Sequence, residues 1–142
     1  MKKYILSISL FIIFTIFSGC PGISTIKIDI DSTPEILKER MSELFLNNNF
    51  VIEQNGINSL STEWKKATKE ENNIPDHTIE VRLETQILKK DSGSEISLSF
   101  HKRSSLDSKE ANMPTYKDID IISNDYLYKL WNAKLKKLKE EY

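Results

Sequence analysis

The sequence predicts an α+β domain in which a single antiparallel β-sheet packs on two helices. Several segments alternate apolar and polar residues with a period of two, which is typical of strands with one buried face. Two other segments repeat their apolar residues with helical spacing, as amphipathic helices do. The predicted elements follow one another in the order β-α-β-β-β-β-α, and two helices suffice to cover one face of such a sheet.

The first predicted strand covers residues 25–31, and a helix follows it. Ser32 and Glu35 have the spacing of a capping box, and Pro34 suits a first helical turn because its missing N–H costs nothing there. The apolar stripe of this helix consists of Leu37, Met41, Leu44 and Phe45. The three asparagines at 47–49 are expected to end the helix, since Asn tolerates the left-handed conformation used at helix C-caps.

Four further strands are predicted at residues 50–53, 59–67, 78–89 and around 96–100. In the second of these, one face is expected to carry Leu60, Thr62 and Trp64. The inward residues are odd-numbered in the third strand and even-numbered in the fourth, so the turn between them must hold an even number of residues. Ser92-Gly93 as a two-residue turn meets this condition, and so does a four-residue loop.

The last predicted element is a helix over residues 123–141, after a long polar loop at 104–118. Its apolar face consists of Leu127, Leu130, Trp131, Leu135 and Leu138. A similar polar loop spans residues 68–77, and loops of this length are often functional or disordered. Tyr116 is the single aromatic residue of the loop at 104–118, where it could anchor a partner or fold back onto the core.

The N-terminus has the pattern of an export signal. Lys2 and Lys3 precede an almost wholly apolar block at residues 4–17, and small residues follow. This block is shorter than the roughly 20 residues that a transmembrane helix needs. A plain secretory signal and an uncleaved anchor are two possible forms of such a segment.

Residues 16–20, Ile-Phe-Ser-Gly-Cys, resemble the lipobox of bacterial lipoproteins, although Phe17 stands where Leu is usual. The resemblance implies cleavage before Cys20 and acyl chains on that residue. It divides the chain into a signal peptide at 1–19, a lipidated tether at 20–24 and one domain at 25–142. Cys20 is the only cysteine, so it has no partner for an internal disulfide, which fits a lipidated residue.

The mature domain resembles, over about 80 residues, the helix-grip domains of the BamC family, lipoprotein accessories of outer-membrane protein assembly. The resemblance lies in Asn49-Phe50-Val51-Ile52, a short turn, and then Leu60-Ser61-Thr62-Glu63-Trp64. It implies a helix-grip-like fold, in which one sheet curls around the helices. Thr62 and Trp64 could equally be ordinary core positions.

Composition excludes one class of partner. The chain has 20 basic and 21 acidic residues, and loss of the signal peptide would also remove Lys2 and Lys3. No basic excess remains to attract nucleic acid, so no nucleic-acid partner is expected.

Residues with catalytic chemistry are sparse. His77 and His101 are the two histidines, and they are expected to approach the same end of the sheet, where Asp76 and Asp107 could join them. No HExxH motif, clustered His/Cys spacing, Gly-x-Ser-x-Gly elbow or glycine-rich phosphate loop is present. We therefore expect no enzyme, no cofactor and no metal site, with a hydrolase using His77 or His101 as the minor alternative.

The polar face of the sheet is the remaining candidate for function. A possible docking surface for another envelope protein consists of Arg82, Glu84, His101 and Arg103, and solvent exposure alone is the alternative. The expected function is a non-enzymatic binding or scaffold module, held by acyl chains on Cys20 to a membrane of the bacterial envelope, the outer membrane in preference to the inner. A lipoprotein that binds a small apolar ligand or lipid between the sheet and the C-terminal helix is the alternative, although Trp64, Phe100 and Trp131 could fill that space.

Overall fold

The computed structural model describes residues 23–68, 71, 78–106, 115–119 and 125–142. In chain order the elements are β1 (Ile23–Ile30), α1 (Pro34–Asn47), β2 (Ile52–Asn55), β3 (Ser59–Thr62), β4 (Lys65–Lys66), β5 (Thr78–Lys89), β6 (Ser94–Leu106), β7 (Thr115–Asp118) and α2 (Tyr126–Glu140). All seven strands belong to one antiparallel sheet, which confirms the predicted α+β class.

A long hairpin of β5 and β6 forms the centre of the sheet. The strand order is β1-β6-β5-β3-β2, with β4 pairing with β5 and β7 pairing with β6. β5 ends at Lys89 and β6 begins at Ser94, and these two residues face each other across the ladder. The connection is therefore a four-residue loop, one of the two predicted even-numbered solutions.

One face of the sheet, here called the inner face, carries the apolar core. Strict alternation along the central hairpin buries Ile79, Val81, Leu83, Thr85, Ile87, Ile96, Leu98 and Phe100. The two helices contribute Leu37, Met41, Phe45, Leu127, Trp131, Leu135 and Leu138 to the same core. The predicted inward residues of these strands and the main stripe of each helix are confirmed, because burial of one face forces the period of each element.

The N-cap of α1 lies one residue later than predicted. Thr33, not Ser32, is the N-cap, and its side chain accepts the Ile36 N–H at 3.5 Å. Pro34 occupies the first turn as expected. Asn48 caps the other end, and Asn49 takes the left-handed conformation with φ of 60°. The prediction that the asparagines end the helix is therefore confirmed, and the left-handed conformation of Asn49 is the expected physical reason.

A buried ion pair fixes the start of α2. The Lys102 side chain is 1% exposed and the Asp125 side chain 6%, and Nζ of Lys102 lies 3.2 Å from Oδ2 of Asp125. The other carboxylate oxygen of Asp125 caps the helix by accepting the Leu127 N–H at 2.9 Å. One aspartate thus joins the helix N-terminus to the inner face of β6.

A β-bulge separates β3 from β4 and reverses the sheet face of Trp64. Ser61 is opposite Glu84 and Lys65 is opposite Val81, so four steps along one strand match three along the other. The extra residue shifts the alternation by one position. The prediction that Trp64 shares a face with Leu60 and Thr62 is therefore wrong. Leu60 and Thr62 are buried on the inner face, while Trp64 lies on the opposite face, here called the outer face.

Aromatic rings fill the space between the sheet and α2. Trp131 is 1% exposed, and its ring centroid lies 5.5 Å from Phe45 and 6.0 Å from Phe50 in edge-to-face packing. Phe100 packs against Tyr128 at 5.8 Å. An apolar ligand between sheet and helix would have to displace Trp131 from this packing.

Candidate functional site

The outer face of the central hairpin holds the four residues that the sequence analysis singled out. Outward positions alternate with the buried ones, so Arg82 stands opposite His101 and Glu80 stands opposite Arg103. Glu84 follows on β5, opposite Ser99. We call Glu80, Arg82, Glu84, His101 and Arg103 the outer-face cluster.

Arg82 lies at the centre of this cluster and is only 22% exposed. One of its terminal nitrogens lies 3.2 Å from the Glu84 carboxylate and 3.5 Å from the carboxylate of Glu53 on β2. The guanidinium is thus held between two acidic side chains from different strands. Such pairs are partly open to solvent and contribute modestly to stability, so their main effect is to orient the guanidinium.

His101 lies beside Arg82 and is 24% exposed. Its Nε2 is 3.3 Å from a carboxylate oxygen of Glu84, within reach of an ion pair when the ring is protonated. The same nitrogen nevertheless makes no hydrogen bond within the described part of the chain. The contact is therefore a close approach without hydrogen-bond geometry, and we treat Nε2 as unsatisfied.

Arg103 occupies the end of the cluster and is held on three sides. Its Nε donates to the Glu80 carboxylate at 2.7 Å. Its guanidinium carbon lies 4.0 Å from the ring centroid of Trp64 and 3.7 Å from that of Tyr116. Cation–π contacts of this kind are worth about 0.5–1 kcal/mol at exposed sites and more when desolvated. Arg103 is therefore a rigid, stacked cation.

Sequence reasoning missed both aromatic partners of Arg103. Uninterrupted alternation from Leu60 and Thr62 predicts an inward Trp64, and no local pattern indicates the bulge. Tyr116 was placed in a loop, whereas it lies in β7 opposite Ser105 and remains 42% exposed. Only the pairing of β4 and β7 with the central hairpin brings the two rings together.

Three buried polar side-chain atoms lack a hydrogen-bond partner among the described residues: Ser61 Oγ, Arg82 Nε and His101 Nε2. All three belong to outward positions, because Ser61 is opposite Glu84 and Arg82 is opposite His101. Beside Ser61 is a shallow depression of about 150 Å³, which Gln54, Glu84 and Gln86 also line. All three atoms are covered by neighbouring atoms, so they lie beneath the outer face and not at its solvent-exposed surface.

The remaining predicted positions fall elsewhere. Cys20, the signal peptide, His77, Asp76 and Asp107 lie outside the described residues. Within the ranges described, no group of three or more His, Cys, Asp or Glu side chains is arranged to hold a metal ion. No helix in the described ranges has the length and apolar character needed to cross a membrane.

Comparison with models of known protein families gave no match, and neither did a search of curated proteins. The resemblances to bacterial lipoproteins and to the BamC family therefore stay predictions.

Proposed function

We propose that this protein is a lipid-anchored binding module of the bacterial cell envelope. Acyl chains on Cys20 hold it to a membrane, the outer membrane in preference to the inner, and a second envelope protein docks on the outer face of the sheet. The proposal gives the chain no catalytic step.

The observation that carries the docking proposal is the common location of the unsatisfied polar atoms. A buried donor or acceptor without a partner costs about 1–3 kcal/mol, and folded proteins leave few of them. Ser61 Oγ, Arg82 Nε and His101 Nε2 are on one face of one sheet. A protein surface that supplies carboxylate or carbonyl oxygens could satisfy Arg82 Nε and Ser61 Oγ once the side chains that cover these atoms shift on binding.

The fixed geometry of the neighbouring side chains supports the same proposal. Arg82 is oriented by Glu53 and Glu84, and Arg103 is stacked between two rings. Side chains that are already ordered lose little conformational entropy when a partner binds. Arginine and aromatic residues are also enriched among the residues that dominate protein–protein binding.

The anchor rests on the lipobox-like residues 16–20 and on the single cysteine. One acyl chain binds a membrane only marginally, whereas two or more hold stably. A cysteine carrying at least two chains would keep the domain at the membrane, where envelope partners are concentrated.

Site-specific crosslinking in the bacterium that encodes the protein tests the docking proposal. A photoreactive amino acid replaces Gln86, which is exposed on the outer face, or Lys136, which is exposed on α2, as the matched control. We expect a discrete protein adduct from position 86, weakened severalfold by Arg82→Ala, and no such adduct from position 136. The same pattern of adducts at both positions, or none at 86, would contradict docking on the outer face.

A further inference from the structure

The distance from Cys20 to the sheet is short, and it limits how the domain can sit on a membrane. β1 begins at Ile23, three residues after Cys20. Three fully extended residues span at most about 10–11 Å. This argument rests on the proposed anchor at Cys20.

The end of the sheet near Ile23 extends well beyond β1. Ile23 is opposite His101, and β6 continues past that residue to Leu106. Five further residues at about 3.4 Å each make an extension of about 17 Å. The extension is longer than the reach of the tether. With the strands pointing at the membrane, the tether is therefore too short to keep this end of the sheet clear of the lipid headgroups.

β7 forms the edge of this extension. It pairs with Arg103–Leu106 on the side of β6 where β1 stops, and the Ile119 N–H donates to the Lys102 carbonyl at 2.8 Å. The part of the described sheet that extends beyond Ile23 therefore consists of β7, the last residues of β6 and the first residues of β5.

The end of the sheet near Ile23 carries side chains that suit a membrane–water interface. The end near Ile23 carries Tyr116, which is 42% exposed, the neighbouring exposed Lys117, and the half-buried Trp64 over Arg103. Tyr and Trp favour the membrane–water interface, where their apolar body and polar group are both accommodated, and basic groups are attracted to lipid phosphates. The opposite end carries the polar loop Lys90–Gly93 and also the exposed apolar side chains Ile57 and Leu88, so the short tether, and not apolar exposure, distinguishes the two ends.

We infer that the β6–β7 end of the sheet rests in the phospholipid headgroup layer, with Tyr116 and Lys117 in contact with the lipids. The strand axis then runs away from the membrane. β1 alone, with seven steps of about 3.4 Å, separates its two ends by about 24 Å. The Lys90–Gly93 loop stands clear of the lipid.

Fluorescence quenching on the acylated full-length mature protein tests this orientation. If Cys20 carries the lipid, a cysteine introduced at Lys117 is the only free thiol and can take an environment-sensitive fluorophore. Leu88→Cys is the matched control, because Leu88 is exposed at the far end of β5. Both proteins are reconstituted into vesicles of phosphatidylethanolamine and phosphatidylglycerol (3:1) that contain a nitroxide on the lipid headgroup.

We expect quenching at position 117 to exceed that at position 88 at least threefold. Should Lys117→Cys fail to fold, Lys66→Cys on β4 replaces it, since Lys66 is exposed opposite Glu80. Weak quenching at both positions, in protein that floats with the vesicles and carries acyl mass, would overturn the orientation alone. Equal strong quenching at both would also overturn it, because the sheet would then lie flat. Protein that neither floats nor carries acyl mass would overturn both the orientation and the anchor.

Discussion

Gly93 occupies a turn position where a side chain cannot be accommodated. Its φ is +72°, and a Cβ there would lie 2.3 Å from the carbonyl oxygen of Ile30 and 2.9 Å from the Cα of Asp31. Both obstacles are backbone atoms at the junction of β1 and α1, so they cannot rotate away.

We predict that Gly93→Ala destabilises the domain by at least about 1–3 kcal/mol, the usual cost of a strained backbone conformation. Gly56→Ala is the matched control, because its φ is ordinary and the nearest obstacle is the Ser59 hydroxyl at 2.3 Å, which a rotamer change can move. Denaturant unfolding of both variants measures the difference. Equal losses would mean that the backbone contact at Gly93 is not limiting.

The ion pair between Lys102 and Asp125 provides a second prediction. Asp125→Ala removes a helix cap and also the carboxylate beside a buried ammonium. Breaking a buried pair by deleting one partner costs about 3–5 kcal/mol, whereas replacing both partners by apolar groups is often neutral. We expect the single variant to lose about that much stability and Lys102→Met/Asp125→Asn to recover most of it.

A double-mutant cycle of Asp125→Asn, Lys102→Met and their combination, read on free energies of unfolding, measures the coupling of the two side chains. The difference between Asp125→Ala and Asp125→Asn measures the helix cap. Glu141→Ala, which breaks the half-exposed pair with Arg40, is the surface control and should have little effect. Additive losses in the buried cycle would show that the two side chains do not interact energetically.

Single residues also mark the limit of sequence reasoning. Lys102 has the parity of Phe100, yet nothing local indicates that a lysine is buried, because its partner Asp125 is 23 residues away. Trp64 has the parity of Thr62, yet one bulge residue reverses its direction. Both outcomes depend on long-range pairing, which a local pattern does not contain.

The elements that the sequence predicted well are those with several periods of alternation. β5 and β6 repeat apolar residues over enough positions to fix face and register, and both helices show a continuous stripe. β4 has two residues and β7 has four, so neither contains enough positions for a period to be recognised. Their existence depends on an edge offered by β5 or β6.

At the far end of the sheet, Lys90 connects β1 with β6. Its Nζ lies 2.6 Å from Asp29 and 2.8 Å from Glu95. The hydrogen bond to Asp29, followed by that to Glu95, raises the pKa of Lys90 above its ordinary value. The hydrogen bond from Lys90 in turn lowers the pKa of Glu95 below its ordinary value of 4.5.

These pKa shifts predict how the contribution of the Lys90 ion pairs to stability varies with pH. Glu95 has a depressed pKa in the folded state, so its contribution is present above its unfolded pKa and is lost as the pH falls through the folded value. Lys90 has a raised pKa, so its contribution is lost only as the pH rises through its folded value. The ion pairs of Lys90 therefore contribute to stability across neutral pH.

We expect Lys90→Met to be less stable than the native chain at pH 7, with the difference shrinking as the pH falls below 4.5, the ordinary value for Glu95. Lys136→Met, on the exposed side of α2, is the control for loss of a positive charge. Unfolding free energies between pH 3 and pH 8 measure the effect. A difference that does not vary with pH would contradict the assigned ion pairs.

For the molecule as a whole, the proposed function assigns stability to the inner face with its two helices and binding to the outer face. Arg82 makes only partly exposed ion pairs and leaves Nε unsatisfied, so Arg82→Ala should change stability by no more than about 1 kcal/mol. Arg103→Ala should cost more, about 1–2 kcal/mol, because it removes the Glu80 hydrogen bond and two ring contacts.

Thermal unfolding of both variants, read beside the crosslink from position 86, tests this division. Arg82→Ala is expected to weaken the adduct severalfold and keep its stability. A large loss of stability in Arg82→Ala would assign the residue to the fold instead of to binding.

The sequence predicted that the residues of the proposed docking surface face outward, because outward positions of a long hairpin follow from alternation alone. It did not reveal the unsatisfied atoms, since these depend on how Ser61, Arg82 and His101 approach one another across three strands. The proposed anchor, by contrast, rests on local sequence alone, the export-signal pattern and the lipobox-like residues 16–20.

Intact mass combined with detergent phase partitioning, on the native chain and on Cys20→Ala made in a bacterial host, tests the membrane-anchored account most directly. The account predicts that the native protein begins at residue 20, carries acyl mass there and enters the detergent phase. The Cys20→Ala variant is expected to carry no acyl mass and to stay in the aqueous phase. Native protein that stays in the aqueous phase, cleaved at another residue and without acyl mass, would contradict it.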